Sequence, residues 1–156
     1  SHGVFSVKGG VLTRGILIDL PDVEVTPKIV LEWEQKTGIR IGVGDAIFLR
    51  TGRDVKKADE KQVGGYHPSM VPFFKERDIA VLGSDFHHDT RMVPGVGLAI
   101  HVFTLVGLGV HLFDNLYLED LAAAATELGR WEFMFVAAPH VMPKGSGAAI
   151  NPIAVF

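Results

Sequence analysis

The residue types best suited to chemistry are concentrated between positions 79 and 116 of this chain. Carboxylate and imidazole groups can transfer protons or bind a divalent metal ion. At strand ends and inside apolar segments such groups are costly unless they are paired, metal-bound or catalytic. The segment therefore predicts either a functional site or a set of buried polar pairs. Its candidate side chains are Asp85, His87, His88, Asp89, His101 and Asp114.

His101 lies inside an apolar run, between Ile100 and Val102. On local sequence alone, a single histidine in such a run is most often a structural residue whose ring nitrogens are hydrogen-bonded. The alternative is a general acid/base, because the pKa of imidazole lies near neutrality. Asp114 ends a second apolar run, and its local sequence favours a turn or helix-capping carboxylate.

Asp85 closes the sequence Gly83-Ser84-Asp85 at the end of a short apolar strand, where such a triplet is typical of a turn. Next comes a short polar segment that contains His87, His88 and Asp89. Adjacent residues of an extended segment point to opposite sides, so the two histidines would rarely bind one ion. We interpret this segment as a polar surface loop.

Strand and helix patterns alternate along the chain, which is typical of an α/β domain. Thr26-Pro27 predicts a helix start and Gly38 its end. Residues 53–65, rich in charge, predict a solvated excursion. The predicted strands are Val11–Ile18, Ala46–Arg50, Ile79–Leu82, Val110–Phe113, Glu132–Ala137 and Ile153–Val155. The predicted helices are Pro27–Thr37, His67–Arg77, a buried helix Leu98–Val106, and Leu118–Leu128 with its leucine face on the sheet.

The composition suits a single domain over residues 1–156. Hydrophobic residues make up 47% of the chain, enough for a sizeable core. The formal charge of −3 provides no basic surface for nucleic acid, and no apolar run reaches the roughly 18 residues of a membrane span. The chain has no cysteine, which excludes disulfide and thiolate chemistry. We therefore expect a cytoplasmic protein without nucleic-acid or membrane partners.

Several segments, in order along almost the whole chain, resemble the cyclase-type metal-dependent hydrolases, the group that includes kynurenine formamidases and isatin hydrolases. The resemblance implies an α/β fold with a mixed sheet and packed helices, similar to the swivelling β/β/α architecture. It also implies a homo-oligomer. The segments that carry it are VLTRGILIDL (11–20), GDAIFLRTGR (44–53), HPSMVPFF (67–74), ERDIAVLGSD (76–85), HVFTLVGLGVHLFDNLYLEDLA (101–122), GRWEF (129–133) and NPIAVF (151–156).

The resemblance also assigns roles to four of the candidate residues. It places a catalytic histidine at His101 and a metal ligand at Asp114, where the formamidase branch has glutamate. It makes Asp85 and Asp89 an ordering pair for the loop beside the site, and it implies a divalent metal, Zn or Mn, as cofactor. No Gly-x-Ser-x-Gly elbow is present, so water activated by a metal is the hydrolytic route that the resemblance offers.

The family's metal-binding signature, His-x-Gly-Thr-His-x-Asp, does not occur in this sequence and would lie before Thr13-Arg14-Gly15. We therefore expect this chain to represent the C-terminal portion of such an enzyme. In isolation it should bind no metal tightly, because too few ligands remain to fill a coordination shell. The resulting hypothesis is a metal-dependent hydrolase of a small amide, formamide or lactam. The alternative is a non-catalytic ligand-binding or assembly module derived from the same family.

Overall fold

A six-stranded mixed sheet organises the protein, for which the computed structural model describes residues 3–53 and 64–156. The strands are β1 (Val11–Asp19), β2 (Glu24–Val25), β3 (Ala46–Arg50), β4 (Gly65–Tyr66), β5 (Val81–Ser84), β6 (Met92–Val93), β7 (Gly97–Leu98), β8 (His111–Phe113), β9 (Glu132–Ala137) and β10 (Ile153–Val155). The order in the main sheet is β10-β9-β1-β3-β5-β8. Strands β1, β3, β5 and β8 are parallel, whereas β9 and β10 complete one edge with antiparallel pairs. Two short pairs, β2-β4 and β6-β7, lie outside the main sheet.

The helices are α1 (Pro27–Thr37), α2 (Met70–Arg77), a π-helix (His101–Leu108) and α3 (Glu119–Leu128), and a 3-10 turn covers Val4–Val7. Helix α1 begins with a proline whose missing N–H would have no partner in the first turn anyway. Glycines in the left-handed region end α1 at Gly38 (φ 74°) and α3 at Gly129 (φ 61°).

Helices cover both faces of the sheet, and each face has its own apolar core. On one face, Ile16 and Ile18 of β1 pack with α1, α2 and their neighbours. On the other face, Leu17 and Phe48 pack with α3, which buries Ala122 and Ala125. Successive residues of β1 thus serve opposite cores, as the pleat of a strand requires. The predicted α/β fold with a mixed sheet and packed helices is confirmed, and β3, β9, β10 and α1 have the predicted bounds.

Two predicted elements are displaced along the chain. Helix α2 begins at Met70 rather than His67, because residues 67–69 form a turn before it. Its end at Asp78 adopts a left-handed conformation (φ 49°), and the following strand starts at Val81 rather than Ile79. The pairing of Val81 with Ala46 of β3 sets this later start.

The predicted buried helix Leu98–Val106 is wrong in both geometry and burial. Leu98 belongs to β7, and the helical segment that follows has π geometry over His101–Leu108. Its apolar side chains Val102, Phe103 and Val106 are exposed. An unbroken apolar run carries no periodicity from which its geometry or burial can be inferred. Within the described ranges, no helix has the length and apolarity needed to cross a bilayer.

The predicted excursion at 53–65 lies mostly outside the described residues, because it includes positions 54–63. At its end, however, Gly65 is buried in β4 rather than solvated. There it pairs with Glu24 of β2. The predicted solvated excursion therefore extends one residue too far, because Gly65 belongs to a buried strand.

One apolar surface lies on the edge half of the main sheet and is exposed. The register of β1, β9 and β10 places five apolar side chains next to one another, on the face that also carries Arg14. Four of the five are at least 44% exposed. This edge face consists of Leu12, Met134, Val136, Ile153 and Val155.

Candidate active site

The candidate residues meet at one edge of the parallel part of the sheet, where the carboxyl ends of β3, β5 and β8 lie together. Thr51 and Gly52 follow β3, Asp85 follows β5, and Asp114 follows β8. Ligand sites in α/β sheets form at this edge because the loops that leave the strands are adjacent there. The sheet thus brings together residues that are up to 63 positions apart in the sequence (51 to 114).

Asp85 is a buried carboxylate, 1% exposed, that holds the start of the loop after β3. It accepts hydrogen bonds from the amide N–H of Thr51 (2.9 Å) and of Gly52 (3.0 Å), and from the Thr51 hydroxyl (2.7 Å). Hydrogen bonds to a charged group in a buried setting are among the stronger ones in proteins. Asp85 therefore ties the end of β5 to the end of β3.

Replacement of this carboxylate should be costly for stability. We expect Asp85→Ala to lower the free energy of unfolding by about 3 kcal/mol, because two backbone N–H groups lose a charged acceptor. Urea unfolding followed by circular dichroism measures the change. Glu127→Ala, at an exposed position of α3, is the matched control and should change stability by less than about 0.5 kcal/mol. An equal effect of the two variants would contradict this role.

Asp89 is a second buried carboxylate, and it holds both the backbone and the ring of His101. Its Oδ1 accepts the amide N–H of Ile100 (2.6 Å), and its Oδ2 accepts the amide N–H of His101 (3.3 Å). The same Oδ2 lies 2.7 Å from Nδ1 of the His101 ring. Such a carboxylate fixes which nitrogen of an imidazole carries the proton and how the ring is oriented.

Asp114 lies between two imidazole rings. Its Oδ2 is 3.3 Å from Nε2 of His101, and its Oδ1 is 3.2 Å from Nε2 of His88. The four side chains form an alternating series, Asp89–His101–Asp114–His88. His101 and Asp114 are partly exposed, whereas Asp89 and His88 are buried. Each partly exposed residue thus contacts a buried one: His101 contacts Asp89, and Asp114 contacts His88.

The two carboxylates determine the charge of His101. Hydrogen bonds to Asp114 and Asp89 raise the pKa of His101 to about 9, against the opposing effect of burial. Burial alone would raise the pKa of Asp114, but its interactions with the imidazoles of His101 and His88 outweigh burial and hold this pKa well below its usual range. In this arrangement His101 is a cation at neutral pH and has protons on both nitrogens, so it is a proton donor.

A cavity of about 490 Å³ opens beside these residues. His101, Asp114 and Asn115 line it on one side, and Pro139 and the chain around Gly147 line it on the other. Its volume is within the range of small-molecule sites. A larger cavity of about 560 Å³ between α3 and the sheet includes neither His101 nor Asp114.

The interpretation of the 87–89 segment as a polar surface loop is wrong. His88 is fully buried and Asp89 is 1% exposed. The amide of Tyr66 donates to the carbonyl of His88 (2.7 Å), and Asp89 forms an isolated bridge with Tyr66. This backbone pairing with β4, some twenty residues away in the sequence, draws the segment into the core. No local pattern in the sequence indicates it.

The site contains imidazole and carboxylate groups, which are common metal ligands. The described residues alone, however, do not form a site that could hold a metal ion. Among them, no group of three or more His, Asp or Glu side chains has an arrangement that could hold one. Each oxygen of Asp114 already faces an imidazole nitrogen. The described part of the chain thus offers single candidate ligands rather than a coordination shell.

Comparison with known proteins gives a consistent family relationship. The Cyclase family model, described as "Putative cyclase", matches residues 6–88. No curated protein matches the sequence significantly. Among solved structures, a novel cyclase is similar with 28% identity and a TM-score of 0.83, over 99% of this chain and 57% of that one.

Two further solved structures have the same fold at lower identity. Isatin hydrolase A from Labrenzia aggregata, bound to benzyl benzoate, is 21% identical with a TM-score of 0.75, over 98% of this chain and 65% of that one. A potential metal-dependent hydrolase with cyclase activity is 19% identical with a TM-score of 0.69, over 92% of this chain and 65% of that one. The chain therefore spans about three-fifths of the length of these structures.

Proposed function

Since the family model covers more than half of its residues, the chain belongs to the cyclase family, and we propose that it supplies the acid/base side of a hydrolase active site. The substrate class is a small amide, formamide or lactam. The observation that carries the proposal is the Asp89–His101–Asp114 arrangement at the edge of a cavity. A cationic imidazole held by two carboxylates beside a cavity is suited to deliver a proton.

In the proposed reaction, the oxygen of water bonds to the carbonyl carbon and the carbon–nitrogen bond breaks. The leaving nitrogen takes up a proton from Nε2 of His101, and the proton that the attacking water releases returns His101 to its charged form. Asp89 orients the ring through Nδ1 and stabilises its charged form. Asp85 keeps the adjacent loop after β3 in place. The products are a carboxylic acid and an amine, or an amino acid if the substrate is cyclic.

The cofactor that we propose is a divalent metal, Zn or Mn, to which Asp114 contributes one ligand. Two similar structures are described as metal-dependent hydrolases, which supports the proposal. When bound, the metal would polarise the substrate carbonyl and lower the pKa of water. The other ligands would come from the signature that the family resemblance places before this part of the sequence.

The direct experiment compares the natural full-length gene product with the 156-residue chain. We expect the full-length protein to hydrolyse small formamides or lactams, to contain Zn or Mn by elemental analysis, and to lose activity with a chelator. The 156-residue chain should neither hydrolyse these compounds nor bind metal tightly. A full-length protein that contains metal but leaves every amide tested intact would contradict the proposal.

A second candidate function is a non-catalytic ligand-binding or assembly module. The observation that favours it is that the described residues lack a group of three metal-binding side chains. Under this alternative, the natural full-length protein would bind small carbonyl compounds in calorimetry without turning them over. We propose no nucleic-acid or membrane partner, and we propose a cytoplasmic location.

Homo-oligomerisation is the last part of the proposal, and the edge face of the sheet supports it. Exposed apolar surface of this kind often marks an interaction site. We expect a mass of at least twice 16.9 kDa by light scattering at high micromolar concentration. Val155→Lys should shift the chain toward monomer, because it places a charge on this face. Lys36→Glu, on the partly exposed last turn of α1, is the control. A monomeric wild-type chain would contradict the proposal.

A further inference from the structure

His88 is a fully buried imidazole that lies behind Asp114 and is not assigned a role by the mechanism above. Its Nε2 is 3.2 Å from Oδ1 of Asp114. Its ring lies 5.9 Å from the ring of His101, measured between centroids, at an angle of 56°. His88 therefore contacts the carboxylate oxygen that His101 does not contact.

The position of His88 is fixed by β4 and not by its own loop. Tyr66 donates its amide N–H to the carbonyl of His88 (2.7 Å), and the following residue, Asp89, bridges to Tyr66 as well. The rings of Tyr66 and His88 are nearly parallel, at 9°, with centroids 6.1 Å apart. Tyr66 is fully buried and packs edge-on against Phe74 of α2. The histidine thus packs on a fully buried part of the core.

The polar contacts of His88 point to a single partner. Within the described residues, neither ring nitrogen makes a hydrogen bond of normal geometry. A buried polar group without a partner costs free energy, so such a group in a native structure has a specific reason to be there. The polar atom within ion-pair distance of this ring is Oδ1 of Asp114.

We propose that His88 is a positioning residue for Asp114: it holds Oδ1 of the carboxylate, so that Oδ2 is directed toward His101. This inference rests on the proposed function, because its catalytic consequence requires His101 and Asp114 to be part of the active site. Without His88, Asp114 would be held by His101 alone and could rotate about its χ2 angle. His88 would act through Asp114 and would touch no substrate.

Two variants of His88 of similar size distinguish a role in positioning Asp114 from a role in filling the core. His88→Gln keeps a donor nitrogen at the place of Nε2 and can still reach Asp114. His88→Asn carries its nitrogen at the place of Nδ1, so the side chain is too short to reach Asp114 from the place of Nε2. In the natural full-length protein, we expect His88→Asn to lower kcat by 10- to 100-fold, which is typical for loss of an outer-shell partner. His88→Gln should retain kcat within about threefold, and KM should change little in either variant.

His140→Gln is the matched control, because His140 is exposed and is not among the residues that line the cavity beside His101. Melting temperatures of the variants show whether each remains folded. Equal losses of kcat in His88→Gln and His88→Asn, with both proteins folded, would overturn the inference. A change in KM without a change in kcat would also overturn it.

A spectroscopic measurement tests the contact without any activity and keeps His88 in place. In the 156-residue chain, Asp114→Asn should shift the ring ¹⁵N resonance of His88 Nε2, whereas Asp120→Asn should leave it unchanged. Absence of a shift would show that His88 does not hold Asp114. If the full-length protein proves inactive, the proposed function fails but this measurement still decides the role of His88.

Discussion

His101→Ala in the natural full-length protein is expected to reduce formamide or lactam hydrolysis by 10²- to 10⁴-fold, the usual effect of removing a general acid/base. The physical reason is the position of the ring, whose two nitrogens face Asp89 (2.7 Å) and Asp114 (3.3 Å) beside the cavity. Without this ring, no proton donor held by both carboxylates remains for the leaving nitrogen. Steady-state kinetics on the purified variant measure the loss as a change in kcat.

The metal content of the His101→Ala protein distinguishes two roles for this residue. A general acid/base can be removed while the metal remains, so we expect elemental analysis to give the wild-type value. Loss of the metal would instead make His101 a ligand together with Asp114. His140→Ala is the control for loss of an imidazole at an exposed position. Undiminished kcat in His101→Ala would refute the assignment of His101.

Asp114→Ala is expected to lower metal affinity by more than the 10- to 100-fold that loss of an outer-shell partner produces. The variant removes the carboxylate that we propose as a ligand, and it also leaves the His88 and His101 rings without the anion between them. Asp114→Glu should preserve binding, because the carboxylate remains and gains one methylene of reach. Elemental analysis after dialysis against metal-free buffer measures the occupancy.

The exposed carboxylate Asp120, in the first turn of α3, is the control for loss of a negative charge. Asp120→Ala should leave the metal content unchanged. If Asp114→Ala keeps a full equivalent of metal, Asp114 is not a ligand. Its contacts with the two imidazoles would then have to be explained by orientation of His101 alone.

Sequence patterns predicted the fold well where physical signals are local. Helix α1 has a proline at its start and a glycine at its end, and its bounds were found from those two residues. Strands β3, β9 and β10 are short β-rich runs between turn residues, and their bounds were also found. In contrast, the apolar run after Leu98 has no polar–apolar periodicity, so its π geometry and its exposed side chains were not predicted.

The candidate site was predictable only in part. His101, Asp114, Asp85 and Asp89 were given roles through the family resemblance, because local sequence alone favoured structural roles for them. The structure brings His101, Asp114 and Asp89 into contact and places Asp85 after the neighbouring strand β5. His88 was assigned to a surface loop, because its burial depends on pairing between its backbone and Tyr66, which is distant in the sequence. The contact between His88 and Asp114 likewise joins the loop after β5 to the end of β8, and tertiary contacts of that kind leave no local signal.

The double role of Asp89 connects the local stability of a helix with the geometry of the site. The same carboxylate that orients the His101 ring also accepts the amide protons of Ile100 and His101, in the first helical turn after β7. Any opening that moves the Asp89 carboxylate away must therefore free the ring and these two amides together. Hydrogen exchange at these two positions would report the fraction of molecules in which Asp89 is in place to orient the imidazole. The backbone would thus provide a substrate-independent measure of how far the site is preorganised.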